Sequence, residues 1–129
     1  MTSSSRLVAI PSKIQNRGDP PRFAPQPLPN YDHSPPKLNP REQTVLFAVG
    51  DRRTYGLEIQ SHIEHCTDRR TKITIGTLYP LLRSLEKKGL LTGENEPGSK
   101  RRYYTITPLG RQYIEGILYT QYRLLGMVE

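Results

Sequence analysis

The chain has 129 residues, 34% of them hydrophobic, with 19 Lys and Arg against 12 Asp and Glu and a formal charge of +7. At roughly 100–200 residues per domain this leaves room for one domain and a tail, and it excludes a two-lobed enzyme. The single cysteine, Cys66, excludes an intrachain disulfide framework, and no apolar run approaches the ~20 residues that a membrane-spanning helix needs.

Residues 1–38 hold 8 of the 12 prolines, including Pro20-Pro21, Pro25-Gln26-Pro27 and Pro35-Pro36. Such a stretch favours extended chain and has little to bury, so a flexible, Pro-rich, solvated extension is expected. Its cations, Arg6, Lys13, Arg17, Arg22 and Lys37, offer a minor contact to a polyanion. The apolar run Leu7-Val8-Ala9-Ile10 is shorter than the roughly 7–15 residues of a signal-peptide core. A cytoplasmic protein with no membrane partner is therefore expected.

The folded unit is expected over 39–129. Asn39-Pro40-Arg41-Glu42 reads as a helix start, with Asn39 as cap, Pro40 in the first turn and Glu42 at the capping-box position. Val45, Leu46 and Val49 follow at helical spacing until Gly50-Asp51, giving a first helix over about 40–50. A second helix runs from about Tyr55 to Cys66, its apolar stripe made by Ile59, Ile63 and Cys66, with Gly56 marking a close backbone approach. After the polar link Arg69-Arg70-Thr71-Lys72, a third helix is capped by Thr74 or Thr77 and ends at Gly89. Leu78, Leu81, Leu82 and Leu85 form its buried stripe. Gly76, Pro80, Arg83 and Lys87 lie opposite, with Tyr79 at the edge. Pro80 is harmless if Thr77 is the cap, because it then falls in the first turn; the helix is placed at about 75–88.

Two runs of strand character, Leu90–Glu96 and Arg101–Thr107, flank the turn Pro97-Gly98-Ser99-Lys100 and predict a β-hairpin with a basic tip. Strand neighbours point to opposite faces, so one of Tyr103 and Tyr104 is buried and the other exposed. Thr107 caps a last helix, with Pro108 in its first turn, over about 108–126. Leu109 and the wider set Tyr113, Ile114, Ile117, Leu118, Leu124 and Leu125 cover more than one stripe, which suits a helix that also meets a second subunit.

The fold class is thus mainly α with a small β-hairpin. Three helices, a hairpin and a closing helix make a winged helix-turn-helix, in which the third helix enters the DNA major groove and the wing, here 92–107, follows backbone or minor groove. Arg83, Lys87, Lys100, Arg101 and Arg102 suit phosphate, Thr77 and Tyr79 can donate hydrogen bonds, and Tyr103 is the outward aromatic candidate. Arg83 is also long enough to reach a guanine edge.

The segments Tyr55-Gly56-Leu57-Glu58-Ile59, Gly76-Thr77-Leu78-Tyr79-Pro80-Leu81-Leu82, Leu85-Glu86-Lys87-Lys88-Gly89-Leu90-Leu91 and Arg101-Arg102-Tyr103-Tyr104-Thr105-Ile106-Thr107-Pro108-Leu109-Gly110 resemble the PadR family of transcriptional regulators. The resemblance covers about residues 39–125. It implies a winged-helix repressor, paired through its C-terminal helix into a homodimer on double-stranded, pseudo-palindromic DNA. A single closing helix is similar to the short subfamily, and with the Pro-rich extension also to a cyanobacterial repressor of a clock gene. Ile75 stands where the family often has Pro.

Other readings carry less. Glu58, His62, His65 and Cys66 share a helix face, but Cys66 continues an apolar stripe, so packing is expected rather than a metal or any other cofactor. No phosphate loop, nucleophile elbow or zinc-helix motif is present, so no enzyme is expected. The rival classes are a protein-interaction module on a winged-helix scaffold and a regulator with a small-molecule effector between the first and last helices.

Overall fold

The computed structural model describes residues 23–27 and 36–127. Two units are distinguished, Tyr31–Arg111 and Met1–Asn30 with Gln112–Glu129. The expectations for Leu7–Ile10 and for the prolines before Phe23 fall outside the described residues.

In the first unit, helix α1 spans Pro40–Val49, strand β1 Thr54–Tyr55, helix α2 Gly56–Cys66 and helix α3 Ile75–Lys87. Strands β2, Leu91–Asn95, and β3, Arg102–Ile106, follow, and helix α4, Pro108–Leu124, begins here. The expected capping box closes α1. The Asn39 carboxamide oxygen accepts from the Glu42 amide at 2.8 Å, and the Glu42 carboxylate accepts from the Asn39 amide at 3.0 Å. That carboxylate is buried and also accepts from the Ser84 hydroxyl and from Lys88 Nζ at 2.9 and 3.0 Å. One acid thus starts α1 and ties it to the end of α3. Burial pushes Glu42 upward, but the Ser84, Lys88 and Asn39 hydrogen bonds outweigh it and hold the carboxyl below its ordinary range.

Of the two expected caps Thr74 closes α3, its hydroxyl accepting from the Thr77 amide at 3.3 Å. Pro80 consequently lies inside the helix rather than in its first turn. The amide it lacks would have bonded the Gly76 carbonyl. Gly76 and Pro80 both lie on the exposed side, where water can satisfy that carbonyl, so the helix continues.

The expected two-stranded hairpin has a third strand. The sheet order is β1-β3-β2, antiparallel throughout, with Tyr55 opposite Tyr103 and Gly93 opposite Tyr104. β1 takes Tyr55 out of α2, which starts one residue later than expected. It is too short to announce itself by alternation. The core joins Val45, Leu46 and Val49 of α1 to Ile59 and Ile63 of α2, Leu78, Leu82 and Leu85 of α3, and Leu90, Leu91 and Tyr104 of the wing. Thr107 caps α4, accepting from the Gly110 amide at 3.0 Å while donating to the Gly89 carbonyl at 2.6 Å. A methyl group on Gly110 would strike the Leu90 carbonyl and Ile106, so only glycine lets α4 leave the hairpin this closely.

In the second unit, residues 23–27 do not form the solvated tail expected of them. The Ala24 amide donates to the Glu115 carboxylate at 3.1 Å, and the Gln26 amide to the Glu115 carbonyl at 3.2 Å.

Candidate nucleic-acid interface

The exposed side of α3 and the inner side of the wing enclose a groove of about 640 Å³. Tyr79, Arg83, Glu86 and Lys87 line it from α3, and Asn95, Arg102 and Tyr104 from the wing. Arg83 and Lys87 are exposed, and neither has an ion-pair partner among the described residues. Lys100 is exposed on the wing turn. Thr77 bonds the Thr74 hydroxyl at 3.1 Å within the first turn of α3, so its side chain belongs to the cap. Tyr79 is 37% exposed and lies against the start of α2, since a methyl group on Gly56 would come within 2.8 Å of its hydroxyl. The close approach expected at Gly56 is therefore to Tyr79.

Arg102 has a different setting from the other basic candidates. Its Nη2 and Nε donate to the two Glu86 carboxylate oxygens at 2.8 and 3.3 Å, and its Nη1 donates to Asn95 Oδ1 at 3.0 Å. The guanidinium lies over Gly93, where a methyl group would meet it at 2.6 Å. This two-pronged pair fastens the wing to α3. Of the tyrosine pair, Tyr104 is the buried one, and burial raises its pKa. Tyr103 faces the other side of the sheet, away from α3.

On that outer side the Tyr55 and Tyr103 rings meet edge to face at 5.4 Å. The Arg101 guanidinium stacks 4.2 Å from the Tyr55 ring centre and the Arg53 guanidinium 3.9 Å from that of Tyr103. Arg53 also reaches Glu94 at 3.3 Å. Sequence reasoning missed Arg53 and Tyr55. The tripeptide Arg-x-Tyr stands at 53–55 and 101–103, but also at 102–104 and 111–113, so only the pairing of β1 with β3 singles out the first two.

The expected dimer residues divide. Ile114 is buried, which leaves it little surface for a partner, while Tyr113, Ile117 and Leu118 are half-buried. Leu124 and Leu125 are 83% and 69% exposed. Cys66, expected in the core, is exposed at the end of α2 with its Sγ 3.4 Å from His62 Nε2. It continues the face of Ile59 and Ile63, but as the last residue of α2 it reaches the rim of a cavity of about 570 Å³ between α1 and α2 that Phe47 and Ala48 also line. Burial, then the charge of Arg52 and His65, lowers the His62 pKa. Among the described residues no three His, Cys, Asp or Glu side chains gather to hold a metal ion, and no helix is long and apolar enough to cross a membrane.

A helix-turn-helix fastened to a basic wing defines a winged-helix, DNA-binding regulator of transcription. Residues 45–116 match the model of the transcriptional regulator PadR-like family, and the chain belongs to that family. A transcriptional regulator from Clostridium thermocellum is 30% identical with a TM-score of 0.55, over 65% of this chain and 83% of its own. RosR from H. salinarum is 25% identical with a TM-score of 0.60, over 67% and 76%. An uncharacterized protein of Lysinibacillus sphaericus is 32% identical over 80 residues, which cover 60% of this chain and 73% of that one.

Proposed function

We propose that the chain is a homodimeric, sequence-specific repressor acting in the cytoplasm. Each subunit presents α3 to a major groove and its wing to the adjoining backbone, and a dimer reads two half-sites about one helical turn apart, roughly 34–36 Å. The observation that carries this reading is the pair of exposed cations, Arg83 and Lys87, on the α3 wall of the groove beside the wing, neither with an ion-pair partner among the described residues. Arg83 is the candidate for base contact; Lys87, Lys100 and Arg101 are candidates for phosphate. Tyr79 lines the groove with Arg83, and Tyr103 lies under Arg53 on the outer face of the wing. Arg102 holds the wing in place through Glu86. Leu124 and Leu125, with Tyr113, Ile117 and Leu118, supply the apolar surface for the second copy.

The test is binding to the protein's own upstream DNA and to a scrambled duplex across a salt series, with light scattering on the same sample. Tight, salt-sensitive binding to the upstream fragment by a dimer is the expected result. A monomer that binds both duplexes equally weakly overturns the reading. Transcription from the same fragment, with and without the protein, tests the repressor role.

A further inference from the structure

The strand register relates the Arg-x-Tyr tripeptides at 53–55 and 101–103 by a local twofold. Tyr55 stands opposite Tyr103 in antiparallel pairing, so Arg53 and Arg101, each two residues earlier, lie on the two diagonals. Each arginine stacks on the tyrosine of the other strand. Stacking occupies the face of a guanidinium and leaves its N–H edge directed outward. Arg101 is exposed, and Arg53 is half-exposed. Arg53 gives one edge to Glu94, in a pair whose side chains are 48% and 75% accessible, too open to hold it firmly. Two positive edges are thus held in order on a rigid aromatic base, on a sheet face that the core does not use.

We propose that this outer sheet face is a second phosphate-binding surface, on which Arg53 and Arg101 hold the backbone of duplex DNA flanking the segment read by α3. Position argues for duplex DNA as the occupant. Arg101 adjoins Lys100 on the wing turn, so a backbone that meets the turn runs next onto Arg101 and then, across the tyrosines, onto Arg53. The face points away from α3, so the phosphates it meets lie outside the segment that α3 contacts. Contacts of this kind carry no sequence information, and they show in the salt dependence of binding.

The inference rests on DNA binding but is tested apart from specificity. Two duplexes are compared, each in upstream and scrambled sequence: one trimmed to the base pairs that α3 reads, mapped by base substitution, the other extended by about one helical turn at each end. Arg53→Gln and Arg101→Gln are each expected to lower the slope of log affinity against log salt by about 1 on the extended duplexes, in both sequences. On the trimmed duplex Arg53→Gln leaves the slope as it is in the wild type. Glu94→Lys, a change at an exposed site that does not threaten folding, is expected to raise the slope on the extended duplexes. An unchanged slope on the extended duplex for Arg53→Gln, or for Glu94→Lys where the first variant does not fold, overturns the proposal. Wild-type protein that does not prefer its upstream fragment defeats the sequence-specific reading alone, because the scrambled extended duplex still reports the phosphate surface.

Discussion

Arg83 and Arg101 are both exposed and both cationic, yet they stand in different surroundings. Arg83 lines the groove from α3; Arg101 is stacked on Tyr55, outside it. Arg83→Ala is therefore expected to cost about 1–3 kcal/mol of discrimination at one base pair, measured as the affinity ratio of the upstream fragment to variants of it. Arg101→Ala should weaken duplexes of equal length by a similar factor whatever their sequence; losses that differ with sequence would show that Arg101 reads bases. Sequence alone revealed the opposite faces of Tyr103 and Tyr104, because strand alternation is a local property. It did not reveal that Arg102 is engaged. Its partner Glu86 is sixteen residues away, on another element, and the pairing exists only once the wing packs on α3.

At the scale of elements, the helices emerge from the sequence almost residue by residue, since caps and apolar spacing are short-range signals. The exceptions are instructive. Two caps were open for α3, and Thr74 is the one used, so Pro80 lies within the helix, where an exposed Gly76 carbonyl lets it stay. The two residues of β1 are held by their pairing with β3, which no local pattern announces. Glu42 joins α1 to α3, so Glu42→Ala should lower stability by about 1–3 kcal/mol in denaturant unfolding. The carboxyl is held below its ordinary pKa when folded, so its contribution is complete above that ordinary value and is lost as pH falls through the folded one. Wild type should accordingly lose more stability on acidification than Glu42→Gln; parallel acid profiles would remove Glu42 from this role. Gly110→Ala should likewise destabilise by about 1–3 kcal/mol, read as a lower Tm, because its methyl group has no room beside the Leu90 carbonyl.

For the molecule as a whole, the order of elements and the match over residues 45–116 make the architecture legible, whereas pairing with a second copy depends on surfaces that no single chain displays in full. Leu124 and Leu125 are the most exposed large apolar side chains among the described residues. Replacing both by Ser is expected to shift light scattering toward monomer and to weaken binding to a two-half-site fragment far more than to one half-site. Equal losses on the two fragments would place dimerisation elsewhere. The bidentate pair between Glu86 and Arg102 also constrains how this protein can change its target over evolutionary time. A substitution at either position alone loosens the wing before any new DNA contact is gained. Among related chains, positions 86 and 102 should therefore vary together, new binding preferences should arise first at neighbours such as Arg83, and exchanging both charges at once should recover a wing that either single exchange loosens.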